Sequence, residues 1–110
     1  MSKTFMRLAD ASALPDNGMQ KICISGIEPI ALYHVDGRFY ATQDTCTHAL
    51  ASLTEGWLEG HEVSCPVHAA GFDIRDGEPQ CFPATEPLRI FTTVVEDGVV
   101  CADLSTALKT

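Results

Sequence analysis

Two short pairs of metal-seeking residues, Cys46-Thr47-His48 and Cys65-Pro66-Val67-His68, stand on either side of residues 49–64. Each pair offers one thiolate and one imidazole. A chain that uses all four must bring two loops to one point and hold them there. A rigid frame with functional loops above it is the usual solution. The chain has 110 residues, which fits one domain spanning 1–110 and leaves little room for a second.

The frame reads as all-β. Short runs of Val, Ile, Phe and Tyr are interrupted by turn signals every eight to twelve residues or so. TFMRLA (4–9) reads as a first strand and LPDNG (14–18) as a turn. MQKICISG alternates, with Ile22 and Ile24 on one face and Lys21, Cys23 and Ser25 on the other. IALYHV and RFYAT flank Asp36-Gly37, a strong two-residue hairpin signal. Near the C-terminus LRIFTTVV and VVCADL flank Glu96-Asp97-Gly98, a second hairpin. Between about Asp44 and Thr85 the texture changes to Gly, Pro, Cys and His, with short pieces such as HEVSC and GFDI and a turn at RDGEP. No helical periodicity extends beyond a turn or two. The expected layout is an antiparallel β base from 1–43 and 86–110, with a small loop-rich metal-binding subdomain at about 44–85 inserted into it.

One tetrahedral zinc could accept two Cys and two His. Zinc sites, however, usually draw like ligands from each loop, and here each loop is mixed. A two-iron, two-sulfide cluster accommodates the mixture: each loop gives its Cys to one iron and its His to the other. The residues then carry a specific resemblance. Cys46-Thr47-His48 and Cys65-Pro66-Val67-His68 resemble the Rieske [2Fe-2S] signature, and GFDIRDGEPQCFPAT resembles the segment that follows it in soluble Rieske ferredoxins. The similarity runs from LADASALPDNG to GVVCADL and is closest to the ferredoxin components of bacterial aromatic-ring dioxygenases of the biphenyl, naphthalene and phenylpropionate type.

That resemblance implies the Rieske fold, a β-sandwich base with a cluster-binding subdomain. It also implies one Rieske-type [2Fe-2S] cluster held by Cys46, His48, Cys65 and His68. With two neutral imidazoles the oxidised site is formally neutral, so an electron enters more easily than at a four-thiolate cluster. High-potential members of the family join their two ligand loops by a disulfide, and the matching residues here are Ala51 and Val67. Those members also donate a Ser and a Tyr hydroxyl to the cluster sulfurs, where this chain has Ala70 and Phe72. Lacking these donors, the site is expected at the low end of the Rieske range, on the order of −150 mV. By the same resemblance Pro83 belongs to a loop that shields the cluster. Gly71 suits a close approach of backbone to sulfide, or an ordinary turn.

The implied role is a cytoplasmic, non-catalytic electron carrier. A flavin-dependent NADH reductase would load it, and a terminal aromatic-ring dioxygenase would discharge it. The rival readings are the Rieske-like small subunit of a nitrite reductase and a zinc-stabilised interaction module. The formal charge of −8 disfavours nucleic acid and suits transient, electrostatically steered partners. No stretch is long and apolar enough to span a membrane, and MSKTFMRLADAS has no apolar signal-peptide region. Asp44, Glu55, Glu59, Glu62, Asp73, Asp76, Glu78 and Glu86 are candidates for an acidic docking face. Five cysteines, an odd count without an export signal, argue against a disulfide framework. Cys23, Cys81 and Cys101 read as thiols packed in or beside sheets, His34 and His61 as ordinary histidines, and Trp57 as an aromatic anchor.

Overall fold

The Asp36-Gly37 turn sets the centre of the molecule. Both residues lie at positive φ, 52° and 76°, the backbone of a type I′ turn. They join β3 (Ile30–Val35) to β4 (Arg38–Gln43), with Val35 opposite Arg38. The computed structural model describes residues 5–47, 51–67, 70–81 and 86–105, with the Cys81 side chain left aside. His48, His68 and Pro83 therefore lie outside the described residues.

The first strand, β1 (Phe5–Asp10), leads through a single 3-10 turn into β2 (Gly18–Ile22), which pairs with β3. Beyond β4 come four short strands, β5 (Trp57–Glu59), β6 (Glu62–Ser64), β7 (Gly71–Asp73) and β8 (Pro79–Cys81). The chain closes with β9 (Ile90–Phe91), β10 (Thr93–Glu96) and β11 (Val99–Asp103). Among the described residues three antiparallel sheets result, in the orders β1-β11-β10, β2-β3-β4-β9 and β5-β6-β7-β8. No helix among the described residues is long and apolar enough to cross a membrane. The all-β antiparallel expectation holds.

β3 explains why the sheets stack as they do. Five of its six residues, all but His34, are buried, so the strand reads as a continuous apolar run rather than an alternating one. Ile30 and Leu32 face a core shared with Phe91, Val100, Ala102 and Leu104, between the first two sheets. Ala31, Tyr33 and Val35 face the opposite core, with Leu53, Val63, Phe72, Ile74 and Leu88. One strand thus supplies both cores with alternate side chains. Tyr33 is fully buried, and its hydroxyl lies 2.8 Å from that of Thr42. Thr42 in turn donates to the Gln43 carbonyl, so Tyr33 is the donor of the pair. Burial pushes the Tyr33 phenol well above its ordinary range.

Several sequence expectations shift by a residue or two. β2 ends at Ile22, so Ile24 continues no strand and Cys23 is exposed rather than packed. The second hairpin is a two-residue turn: Glu96 pairs with Val99, while Asp97 and Gly98 lie at φ 51° and 75°. LRIFTTVV is broken at Thr92, where the chain leaves β4 and crosses to β11 in the other sheet. β5 and β8 were not resolved from sequence as strands. Trp57 is no core anchor: it stands on the edge strand β5, 48% exposed.

Candidate metal centre

The two ligand loops grow from matching stems. The Cys46 N–H donates to the Ala51 carbonyl at 2.9 Å, and the Cys65 N–H donates to the Ala70 carbonyl at 2.7 Å. In each case a cysteine is tied to the alanine five residues later. Residues 47–50 and 66–69, which include His48 and His68, fall inside the two rings so closed.

The first stem is built deeper than a single bond. Thr45 bridges Ser52, and the Leu53 N–H donates to the Asp44 carbonyl at 2.8 Å. The Gln43 side chain spans two segments, donating to the Thr45 carbonyl at 2.7 Å and accepting the Arg89 N–H at 2.8 Å. Thr47 donates to the Glu86 carbonyl at 2.8 Å. The second stem continues β6 and β7, where Ser64 pairs with Gly71 and Val63 with Phe72.

Between the stems the thiols meet. Cys46 and Cys65 are buried in the same core as Tyr33, Val63, Ala70 and Phe72, close enough for the Cys46 thiol to act on Cys65. Burial, and then the Cys46 thiol, push the Cys65 thiol above its ordinary range against the pull of the Val67 N–H. That N–H points at the Cys65 sulfur from 3.5 Å. Two adjacent sulfurs in an apolar core, with a backbone N–H aimed at one of them, form the donor set of a soft metal rather than of a surface nucleophile. They fit the thiolate side of a [2Fe-2S] cluster, whose second iron takes imidazoles.

The neighbouring candidates divide. Ala51 is half-buried against this core, and its carbonyl closes the first ring; Val67 is 36% exposed. Ala70 and Phe72 are fully buried beside the thiols. Gly71 is a strand residue of β7 rather than a turn glycine. Among the described residues, no disulfide joins Cys23, Cys46, Cys65 or Cys101. His34 stacks on Phe39 at 4.1 Å with its Nδ1 2.8 Å from the Leu14 carbonyl, and His61 meets Tyr40 edge-on at 5.6 Å. Of the acidic residues, Glu55, Glu59, Asp76, Glu78 and Glu86 are exposed, whereas Asp44 is buried and leaves the docking face. Sequence reasoning missed that difference, because an acid with no base at helix or hairpin spacing gives no sign of burial.

Comparison with known proteins identifies the family. Residues 4–92 match the model of the Rieske [2Fe-2S] domain. The 3-phenylpropionate/cinnamic acid dioxygenase ferredoxin subunit of Photorhabdus laumondii is 42% identical over 106 residues, covering 96% of this chain and 97% of that one. Ferredoxin CarAc of Metapseudomonas resinovorans is 38% identical over 100 residues, 91% and 94% of the two chains. A chain from the solved complex of reduced oxygenase and oxidized ferredoxin in carbazole 1,9a-dioxygenase superposes with a TM-score of 0.89 at 35% identity, over 99% of both chains. Buried paired thiols, matched loop stems and a three-sheet β scaffold thus accompany a family match over most of the sequence, and the chain belongs to the Rieske [2Fe-2S] domain family.

Proposed function

We propose that this protein is a soluble, cytoplasmic one-electron carrier of an aromatic-ring dioxygenase system. It accepts an electron from a flavin-dependent NADH reductase and delivers it to the terminal oxygenase. Cys46 and Cys65 hold one iron, and His48 and His68 hold the other. When bound, the cluster supplies a single one-electron couple of low potential. Residues about 44–85 form the cluster-binding unit, carried on a base made by 1–43 and 86–110. The observation that carries this reading is the pair of neighbouring buried thiols between two identically closed loops.

The chain's own residues then have distinct tasks. Tyr33, Val63 and Phe72 exclude water behind the thiols. Val67 presents its N–H to the Cys65 sulfur, which favours the thiolate form. The exposed acids of the cluster-bearing segment orient encounters with a basic partner face, and the effect weakens with salt. The carrier turns over no substrate by itself.

His48→Ala and His68→Ala test the ligand set. Each should abolish the Rieske electron paramagnetic resonance signal, whereas Cys23→Ser should leave it unchanged. A native signal in either histidine variant would remove that residue from the site. The role is tested by mixing the purified protein with a reductase and an oxygenase of the phenylpropionate type. Product should form only when the chain is present, and more slowly as salt rises; salt-independent turnover would refute electrostatic steering.

A further inference from the structure

Asp44 is a carboxylate in a place where carboxylates are costly. Its side chain is 2% exposed, and burying a charge costs several kcal/mol unless it is paired and hydrogen-bonded. Here it is. Oδ1 accepts the Thr54 N–H at 3.0 Å and the Thr54 hydroxyl at 2.9 Å. Oδ2 accepts the Ser52 hydroxyl at 2.5 Å, and the Lys21 ammonium stands 3.8 Å away.

All three hydrogen-bond donors come from the far side of the first ligand loop, and Asp44 comes from the near side. Backbone bonds already join those sides, through Cys46 to Ala51 and Leu53 to Asp44. A neutral side chain could share that task without the desolvation cost. The charge itself therefore calls for a role. It sits two residues from Cys46, so its Cα lies within about 7 Å of that ligand's. Lys21 faces it from β2, but its side chain is 42% exposed, so water screens the cation more than the buried anion.

We propose that Asp44 is a positioning residue that fixes the first stem and sets a buried, hydrogen-bonded carboxylate two residues from Cys46, lowering the site's affinity for its electron. Lys21 is the counter-charge that limits the effect. The inference rests on the [2Fe-2S] reading and deepens it, since part of the low potential is set by a residue outside the ligand set. An added electron is repelled by a fixed negative charge and attracted by a positive one, so the two residues act with opposite signs.

The test is redox titration of the holoprotein, with visible and electron paramagnetic resonance spectra recorded for each variant. Asp44→Asn keeps the volume and an oxygen acceptor for Thr54, and its amide can donate to the Ser52 oxygen. It should raise the reduced-to-oxidised ratio at fixed poise about tenfold, about 59 mV for one electron. Lys21→Gln should lower that ratio about threefold. A purely structural role would weaken the stem in both variants without opposite shifts in potential. If Asp44→Asn fails to load the cluster, Lys21→Gln decides: a lower potential supports the proposal, and an unchanged or higher one overturns it. An Asp44→Asn protein with a native spectrum and an unmoved or lower potential also overturns it. A wild-type protein without a Rieske signal would instead overturn the reading of the site, and this role with it.

Discussion

Gly77 and Gly26 form a matched pair that separates backbone strain from collision. Both lie at φ +80°, where an L side chain is strained. A Cβ on Gly26 meets nothing within 4 Å, while one on Gly77 would stand 2.2 Å from the Leu88 carbonyl oxygen. Alanine at either site pays about 1–2 kcal/mol for the left-handed conformation, less about 0.4–1 kcal/mol for a stiffer unfolded chain. Gly26→Ala should therefore cost about 1 kcal/mol. At Gly77 the neighbouring backbone must also retreat by about 1.2 Å to reach an ordinary 3.4 Å contact. That retreat disturbs the 2.8 Å bond from the Leu88 N–H to the Gly77 carbonyl and shifts a buried leucine. Overpacking adds about 1–3 kcal/mol and the hydrogen bond about 1 kcal/mol. Gly77→Ala should thus cost about 3–4 kcal/mol in all. At about 4–8 °C per kcal/mol for a domain near this size, Gly26→Ala should lower the unfolding temperature by about 5 °C and Gly77→Ala by about 15–20 °C. Far-UV circular dichroism, scanned at one heating rate with the cluster bound, measures both. Losses equal within about 3 °C would show that the Leu88 carbonyl moves aside freely, and would refute the collision argument.

The electron affinity of the site should respond to hydroxyls placed where Ala70 and Phe72 lie buried beside the thiols. Ala70→Ser or Phe72→Tyr should raise the potential by about 60 mV, the equivalent of one charge-assisted hydrogen bond of about 1.5 kcal/mol; an intact spectrum with a lowered potential would contradict this. Asp73 accepts the Arg75 guanidinium at 2.8 and 3.0 Å, which holds its carboxyl below the usual carboxylate range. A depressed folded pKa stabilises above the unfolded value of about 3.9 and ceases to do so as pH falls through the folded one. Arg75→Gln should therefore trail wild type by a constant margin in urea midpoint above about pH 5, and the margin should close in acid. A margin that persists at pH 2 would locate the effect in packing instead.

What could be read from the sequence was whatever is local. Asp36-Gly37 specified its turn because two positive φ values in succession admit few other residues, and the flanking strands followed from it. The four proposed ligands were legible because their spacing is a chemical pattern rather than a conformational one. Partnership was not legible. That β1 pairs with β11, at the far end of the chain, leaves no mark in either strand's alternation. The break at Thr92 was missed because, Arg89 aside, LRIFTTVV is an unbroken run of apolar and β-branched residues with no turn signal, and only the change of partner from β4 to β11 divides it. β5 and β8 are no shorter than β6 and β7, but β5 is closed in by Gly56 and Gly60 and β8 opens on Pro79, so turn signals mask them. Asp44 and Glu55 look alike in a string of letters; only the Thr54 and Ser52 donors distinguish the buried acid from the exposed one.

The twin stems also set how such a chain can vary. A residue inserted beyond the histidine of either ring, after His48 or after His68, keeps the Cys-to-His spacing and leaves the cysteine N–H and the alanine carbonyl still able to meet. A one-residue slip within a stem is another matter: it turns every following side chain to the opposite face of its strand and carries the sulfur out of the core. Length can drift beyond the histidines while the ligand spacing and the stems stay fixed. Two copies of one closure, each tolerant within and strict at its neck, let the surface of the loops diversify while the sulfur pair remains where Cys46 and Cys65 place it.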